Sequence, residues 1–105
     1  MIKDNYPEWF VHLKQKYIKL INAVDELGKA AKDSGPLDDK TAHLIQLAGA
    51  ITLRSEGAVH SHVKRAKEAG ATNAEIEHAA ILLTSTIGFP NVSAALSWIN
   101  DVTGK

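Results

Sequence analysis

Apolar residues recur at spacings of three and four along almost the whole 105-residue chain, and no stretch alternates strongly with period two. Such spacing puts one apolar stripe on a helix and does not sort residues onto the two faces of a strand. The chain is therefore expected to be all-α, with about five helices in a single domain over residues 1–105. A first helix is expected near Pro7, where proline's missing N–H would go unpaired in any case. Its stripe is Trp9, Leu13, Tyr17, Leu20, Val24 and Leu27. With Phe10, these aromatics suit either the core or an interface. Asp33-Ser34-Gly35-Pro36 stops the helix and turns the chain.

The other boundaries are read the same way. Asp38 or Asp39 can cap a second helix, whose stripe is Leu44, Leu47, Ala48 and Ile51, widened by Ile45. Arg54-Ser55-Glu56-Gly57 interrupts the apolar pattern and marks a joint. A third helix runs to Ala69, and Gly70 suits the left-handed position just past a helix end. Thr72-Asn73-Ala74-Glu75 has the form of a capping box, in which the Thr side chain and the Glu side chain satisfy each other's backbone N–H. It opens a fourth helix carrying Ile76, Ala79, Ala80, Leu83 and Ile87, which Gly88-Phe89-Pro90-Asn91 ends. That break suits a turn with an aromatic plug or a pocket wall. The last helix carries Val92, Ala95, Leu96, Ile99 and Val102.

Composition excludes several classes of function. Twelve basic residues balance twelve acidic ones, so no basic excess marks a nucleic-acid surface. No apolar run approaches the ~20 residues that span a bilayer. Met1-Ile2-Lys3-Asp4-Asn5-Tyr6-Pro7 lacks the apolar region of a signal peptide, and a cytoplasmic location is expected. With no cysteine, disulfides, thiol nucleophiles and cysteine-ligated metals are all ruled out. The sequence also lacks a glycine-rich phosphate loop, a serine-centred nucleophile elbow and a paired-carboxylate motif.

The candidate chemistry gathers on the third helix. Ser55, Ala58 (or Val59), His62 and Ala66 share one side, while Glu56, His60 and Lys64 form a second row. His62, among small and apolar neighbours, suits either a half-buried structural histidine or a proton carrier. An imidazole with an ordinary pKa of about 6.5 can both take and give a proton near neutrality. His60 suits an exposed position with a weak contact to Glu56 one turn before it. Six residues of helix turn Glu56 about 120° away from His62, so Glu56 reaches the same pocket only if it sits at the joint. Arg54, Lys64 and Arg65 offer charge to an anionic substrate or stand on a solvated surface. His43 lies on the second helix, His78 on the fourth, and His12 at the surface of the first. Several histidines meeting in space would suit Zn, Ni or Fe. His60-Ser61-His62 is not a helical chelating pair, however, since side chains at i and i+2 diverge. No metal and no cofactor is expected.

Three segments in order resemble the carboxymuconolactone decarboxylase family, which includes the AhpD-like alkylhydroperoxidases. They are His62-Val63-Lys64-Arg65-Ala66, Glu68-Ala69-Gly70-Ala71-Thr72-Asn73-Ala74-Glu75-Ile76, and Gly88-Phe89-Pro90. The likeness extends upstream through Leu37-Asp38-Asp39-Lys40 and Leu44-Ile45-Gln46-Leu47-Ala48, and covers Leu37 to Trp98. It implies an AhpD-like all-α fold built on a helical hairpin, and homo-oligomers, commonly trimers or hexamers. In the family's peroxidase branch, a Cys-x-x-Cys pair precedes the histidine. Those positions are Ser55 and Ala58 here, and the relay glutamate falls at His43. A thiol peroxidase needs a thiolate to attack the peroxide oxygen, so that mechanism is excluded for this chain.

The decarboxylases proper instead show Arg-Glu-Gly-Glu followed by four residues ending in the same histidine. Here Glu56, Gly57 and His62 match, while Ser55 and Ala58 replace the Arg and the second Glu. Arg54 stands one position from the missing Arg. The resemblance implies a cofactor-free lyase acting on a small carboxylated lactone or related acid. His62, Glu56 and His60 would be its catalytic residues, with His62 as proton donor. Arg54, Ser55 and His43 would hold the small-molecule substrate. Two other readings are carried beside it. One is a peroxidase-like relative that works through a bound metal, a haem-like group or a partner's thiol. The other is a non-catalytic oligomeric binding protein with a degenerate site. No nucleic acid and no membrane is expected as a partner.

Overall fold

In the computed structural model, which describes residues 8–104, the helices are α1 (Glu8–Lys16), α2 (Ile18–Lys32), α3 (Asp39–Thr52), α4 (Glu56–Glu68), α5 (Asn73–Ile81), α6 (Thr84–Ile87) and α7 (Phe89–Thr103). No strand occurs among the described residues, so the all-α expectation holds. The expected start at Pro7 lies outside the described residues.

Two of the five expected helices are each divided. The first breaks at Tyr17, whose φ of −127° and ψ of 57° leave the helical region. The bonds on either side continue. Tyr17 N–H donates to Leu13 O at 2.8 Å, and Ile21 N–H donates to Tyr17 O at 3.0 Å. The apolar spacing runs across the break, so periodicity alone does not reveal it. The fourth divides at Leu82-Leu83, where Leu83 N–H turns to the nearer Ala80 carbonyl at 3.0 Å. Just beyond, the Thr84 hydroxyl donates to Ile81 O at 2.7 Å. Hydroxyl side chains compete with the backbone in this way and interrupt regular helix.

The chain divides into two compact units, one ending at Leu37 and the other beginning at Asp38. In the first, the expected stripe is largely exposed: Trp9, Tyr17, Leu20, Val24 and Leu27 all present substantial surface, and Ile21 is the buried residue of α2.

The second unit contains the residues that concern function. Its core is built from Leu47, Ala50 and Ile51 of α3, Val59, Val63 and Ala66 of α4, Ala71, Ile76 and Ala80 of α5's segment, and Ala95 and Ile99 of α7. On α3 the buried face includes Ala50 rather than the expected Ala48, and Ile45 is exposed. Helix α4 packs against both α3 and α7, so side chains leaving its flanks meet residues of those two helices.

The local signals account for the ends of these elements. Asp38 caps α3 by accepting from Thr41 N–H at 2.8 Å. The Thr72–Glu75 capping box forms in both directions, at 3.1 and 2.9 Å. Gly70, at φ 98°, closes α4 as expected. Gly88, at φ 89° and ψ 153°, occupies a region almost closed to other residues, and Pro90 follows in the first turn of α7.

Candidate functional site

Helix α4 begins directly after an unusual joint. Arg54 takes a left-handed conformation, φ 56°, at a position where glycine is the common choice. Its N–H donates to Ile51 O at 2.9 Å, and Ser55 N–H donates to Ala50 O at 3.1 Å. These two bonds satisfy the last carbonyls of α3 and turn the chain sharply into α4. Ser55 stands at the N-cap of α4 without making a side-chain cap bond. Arg54 and Ser55, the two residues that precede α4, are both exposed.

The Arg54 side chain is held from α7. It donates to the side-chain oxygen of Asn91, and its guanidinium lies 6.0 Å from the centre of the Trp98 ring. Asn91 is fixed in turn by donating to Ile87 O at 2.7 Å. Neither Asn91 nor Trp98 is singled out by sequence reasoning, because both partners lie far along the chain and carry no local signal.

Two rows of α4 lead to two separate clusters. On one, His62 meets His43 of α3, with ring centres 6.1 Å apart and planes tilted by 38°. His62 is half-buried, and its Nδ1 is buried with no hydrogen-bond partner among the described residues. Burial lowers the pKa of this imidazole from its ordinary value, and its electrostatic interactions with Arg65 and His43 act in the same direction. On the other row, His60 Nε2 lies 3.0 Å from Asp101 Oδ2 of α7 and 3.9 Å from Glu56 Oε2. The expected contact between Glu56 and His60 is therefore present, and Asp101 is a partner that the sequence did not disclose.

The structure brings His43 to His62, and Glu56 to His60. It does not unite the two groups: residues two apart on a helix point about 200° from each other, and each histidine faces a different neighbouring helix. His78 is exposed on α5, and His12 stacks on Trp9 with ring centres 5.4 Å apart. Burial also lowers the Lys64 pKa from its usual value.

Comparison with known proteins adds the following. The sequence model of the carboxymuconolactone decarboxylase family matches residues 19–101. An uncharacterised protein of Haemophilus influenzae is 42% identical over 57 residues, which are 54% of this chain and 50% of that protein. An uncharacterised protein of Methanocaldococcus jannaschii is 31% identical over 104 residues, 99% of this chain and 87% of the relative. The chain thus spans about half the length of the first relative and most of the second. No solved structure matches.

Proposed function

We propose, from the premise that this chain belongs to the carboxymuconolactone decarboxylase family, that the start of α4 carries a site for decarboxylating a small carboxylated lactone or a related acid. His62 is the proton donor of this reaction. In such a reaction the bond to the carboxyl carbon breaks and carbon dioxide leaves. The electron pair passes into a neighbouring unsaturated carbonyl, and a proton then returns to carbon. The chemistry asks for a cation or N–H donors where charge develops and a positioned acid to return the proton.

The observation that carries the reading is His62 itself. It is a half-buried imidazole whose buried Nδ1 has no hydrogen-bond partner among the described residues, and it is set against His43. Its surroundings lower its pKa, so that when protonated it is a stronger acid than an ordinary imidazolium. Arg54, Ser55 and the first-turn amides of α4 supply the charge complement, Arg54 being oriented by Asn91 and Trp98. His43 packs the ring of His62 and lines the same side. Glu56 orients a histidine, as the sequence suggests, but that histidine is His60. These two are accordingly left out of the proton transfer. Cysteine chemistry has no place, since the chain has none.

The protein works as a homo-oligomer, a trimer or hexamer, in the cytoplasm. Supporting the first part is the apolar surface of Trp9, Tyr17, Leu20, Val24 and Leu27. Among the described residues, no helix is long and apolar enough to cross a membrane.

The test is turnover of 4-carboxymuconolactone followed by ultraviolet absorbance, with His62→Ala alongside. The expected result is activity in the parent and a loss of about 100- to 10,000-fold in the variant, the usual contribution of a positioned acid. Unchanged turnover in His62→Ala would remove His62 from the reaction. Inactivity of the parent would remove this substrate and favour a binding protein with a degenerate site.

A further inference from the structure

We propose that Glu56, His60 and Asp101 form a binding site for a divalent transition cation, zinc(II) in the first instance. One ligand atom from each residue lies within 4.8 Å of the other two. His60 Nε2 is 3.0 Å from Asp101 Oδ2 and 3.9 Å from Glu56 Oε2. An ion holding nitrogen and oxygen ligands at about 2.1 Å separates neighbouring ligands by roughly 3.0–3.5 Å. The His60–Asp101 edge already has this length, and the exposed Glu56 carboxylate is the ligand that must move to close the others.

The backbone is prepared for such a site. Glu56 and His60 are at i and i+4, the helical spacing at which two side chains can grip one ion. Asp101 comes from a different helix, and the two helices are fixed to each other through the core. Val59, next to His60, and Ile99, two residues before Asp101, are both fully buried. The ligands therefore converge from a rigid frame, and the ion would tie the start of α4 to the end of α7.

The donor set selects the ion. One imidazole with two carboxylates suits zinc and its first-row neighbours, whereas calcium and magnesium prefer oxygen alone. Three protein ligands leave a fourth position for water. The site uses the row of α4 turned away from His62, so it stands apart from the decarboxylase reading and can fail or succeed without it.

The test is calorimetric titration of chelator-treated protein with zinc(II), together with nitrogen-15 spectra of the histidine rings. The expected result is one ion per chain, with the His60 Nε2 resonance shifting on binding. Asp101→Asn and Glu56→Gln each weaken affinity by at least about tenfold, the loss that even an outer-sphere partner can cause. His62→Ala binds like the parent. Both carboxylates are exposed, and thermal unfolding confirms that their variants fold. At the same zinc concentration the parent's melting temperature rises by more than that of Asp101→Asn. Affinity unchanged in Asp101→Asn, affinity lost in His62→Ala, or no saturation up to about 1 mM zinc would each overturn the assignment.

Discussion

Arg54 offers a test of how α4 is launched. It is the non-glycine residue with positive φ among the described residues, at 56°. Gly70 does the same task at the other end of α4, at φ 98°. The bonding is parallel: Arg54 N–H to Ile51 O and Ser55 N–H to Ala50 O in one case, Gly70 N–H to Lys67 O and Ala71 N–H to Ala66 O in the other. A side chain in this conformation costs about 1–2 kcal/mol relative to glycine. Arg54→Ala removes the contacts to Asn91 and Trp98 and keeps that cost; Arg54→Gly removes both. Glycine also loosens the unfolded chain, which returns about 0.4–1 kcal/mol of the gain. The Gly variant should therefore be more stable than the Ala variant by roughly 0.5–1 kcal/mol. This reverses the order in a helix interior, where glycine is about 1 kcal/mol worse than alanine. Urea unfolding followed by circular dichroism reads the difference as a shift in midpoint at constant slope. An Ala variant as stable as the Gly variant would refute the left-handed joint. Both variants lack the guanidinium, so any difference in turnover between them reports the direction of α4 rather than its charge.

Two further predictions concern the frame. Ile99 is fully buried in the core on α7, so Ile99→Ala should cost about 2–5 kcal/mol and Ile99→Val about 0.5–1.5 kcal/mol, measured by the same unfolding assay; a cost below about 1 kcal/mol for the alanine would show that this position does not hold α7 in place. The carboxyl of Glu75 is held below its ordinary value of 4.5, first by the Thr72 backbone N–H and then by Lys40, which donates to it at 3.2 Å. A lowered folded-state pKa stabilises the protein above the unfolded value, and that stability is lost as pH falls through the folded one. Glu75→Gln, which can still cap the helix, should lose less stability than the parent on acidification below pH 4.5; parallel profiles would show that the charge contributes nothing.

What the sequence could disclose was set by distance along the chain. The Asp38 cap, the Gly70 closure and the Thr72–Glu75 box each depend on groups within one turn, and all three are present in the structure. Core faces with strong periodicity were equally legible: Ile76 and Ala80 on α5, and Val92, Ala95 and Ile99 on α7, are buried as expected. The Tyr17 break was not, because one residue can leave the helical region while its neighbours' bonds persist and the stripe keeps its phase. The division at Leu82-Leu83 was hidden differently. Thr84-Ser85-Thr86 reads as a weak helix stretch, but only the Thr84 hydroxyl's choice of the Ile81 carbonyl turns weakness into a break.

The site lies at the far end of this scale. Arg54 meets Asn91 from 37 residues away, and His60 meets Asp101 from 41. Helix geometry could say that His60 and His62 point in nearly opposite directions, and it could say that Glu56 and His60 point together. It could not say which helices would stand on those two sides, since that depends on how α3 and α7 pack around α4. Once the packing is known, the assignment follows: the flank toward α3 carries the imidazole pair, and the flank toward α7 carries the imidazole with two carboxylates. The same short run of sequence therefore supports two different chemistries. The proposed proton transfer uses the half-buried His62. The proposed ion site uses His60, which stands beside two exposed carboxylates.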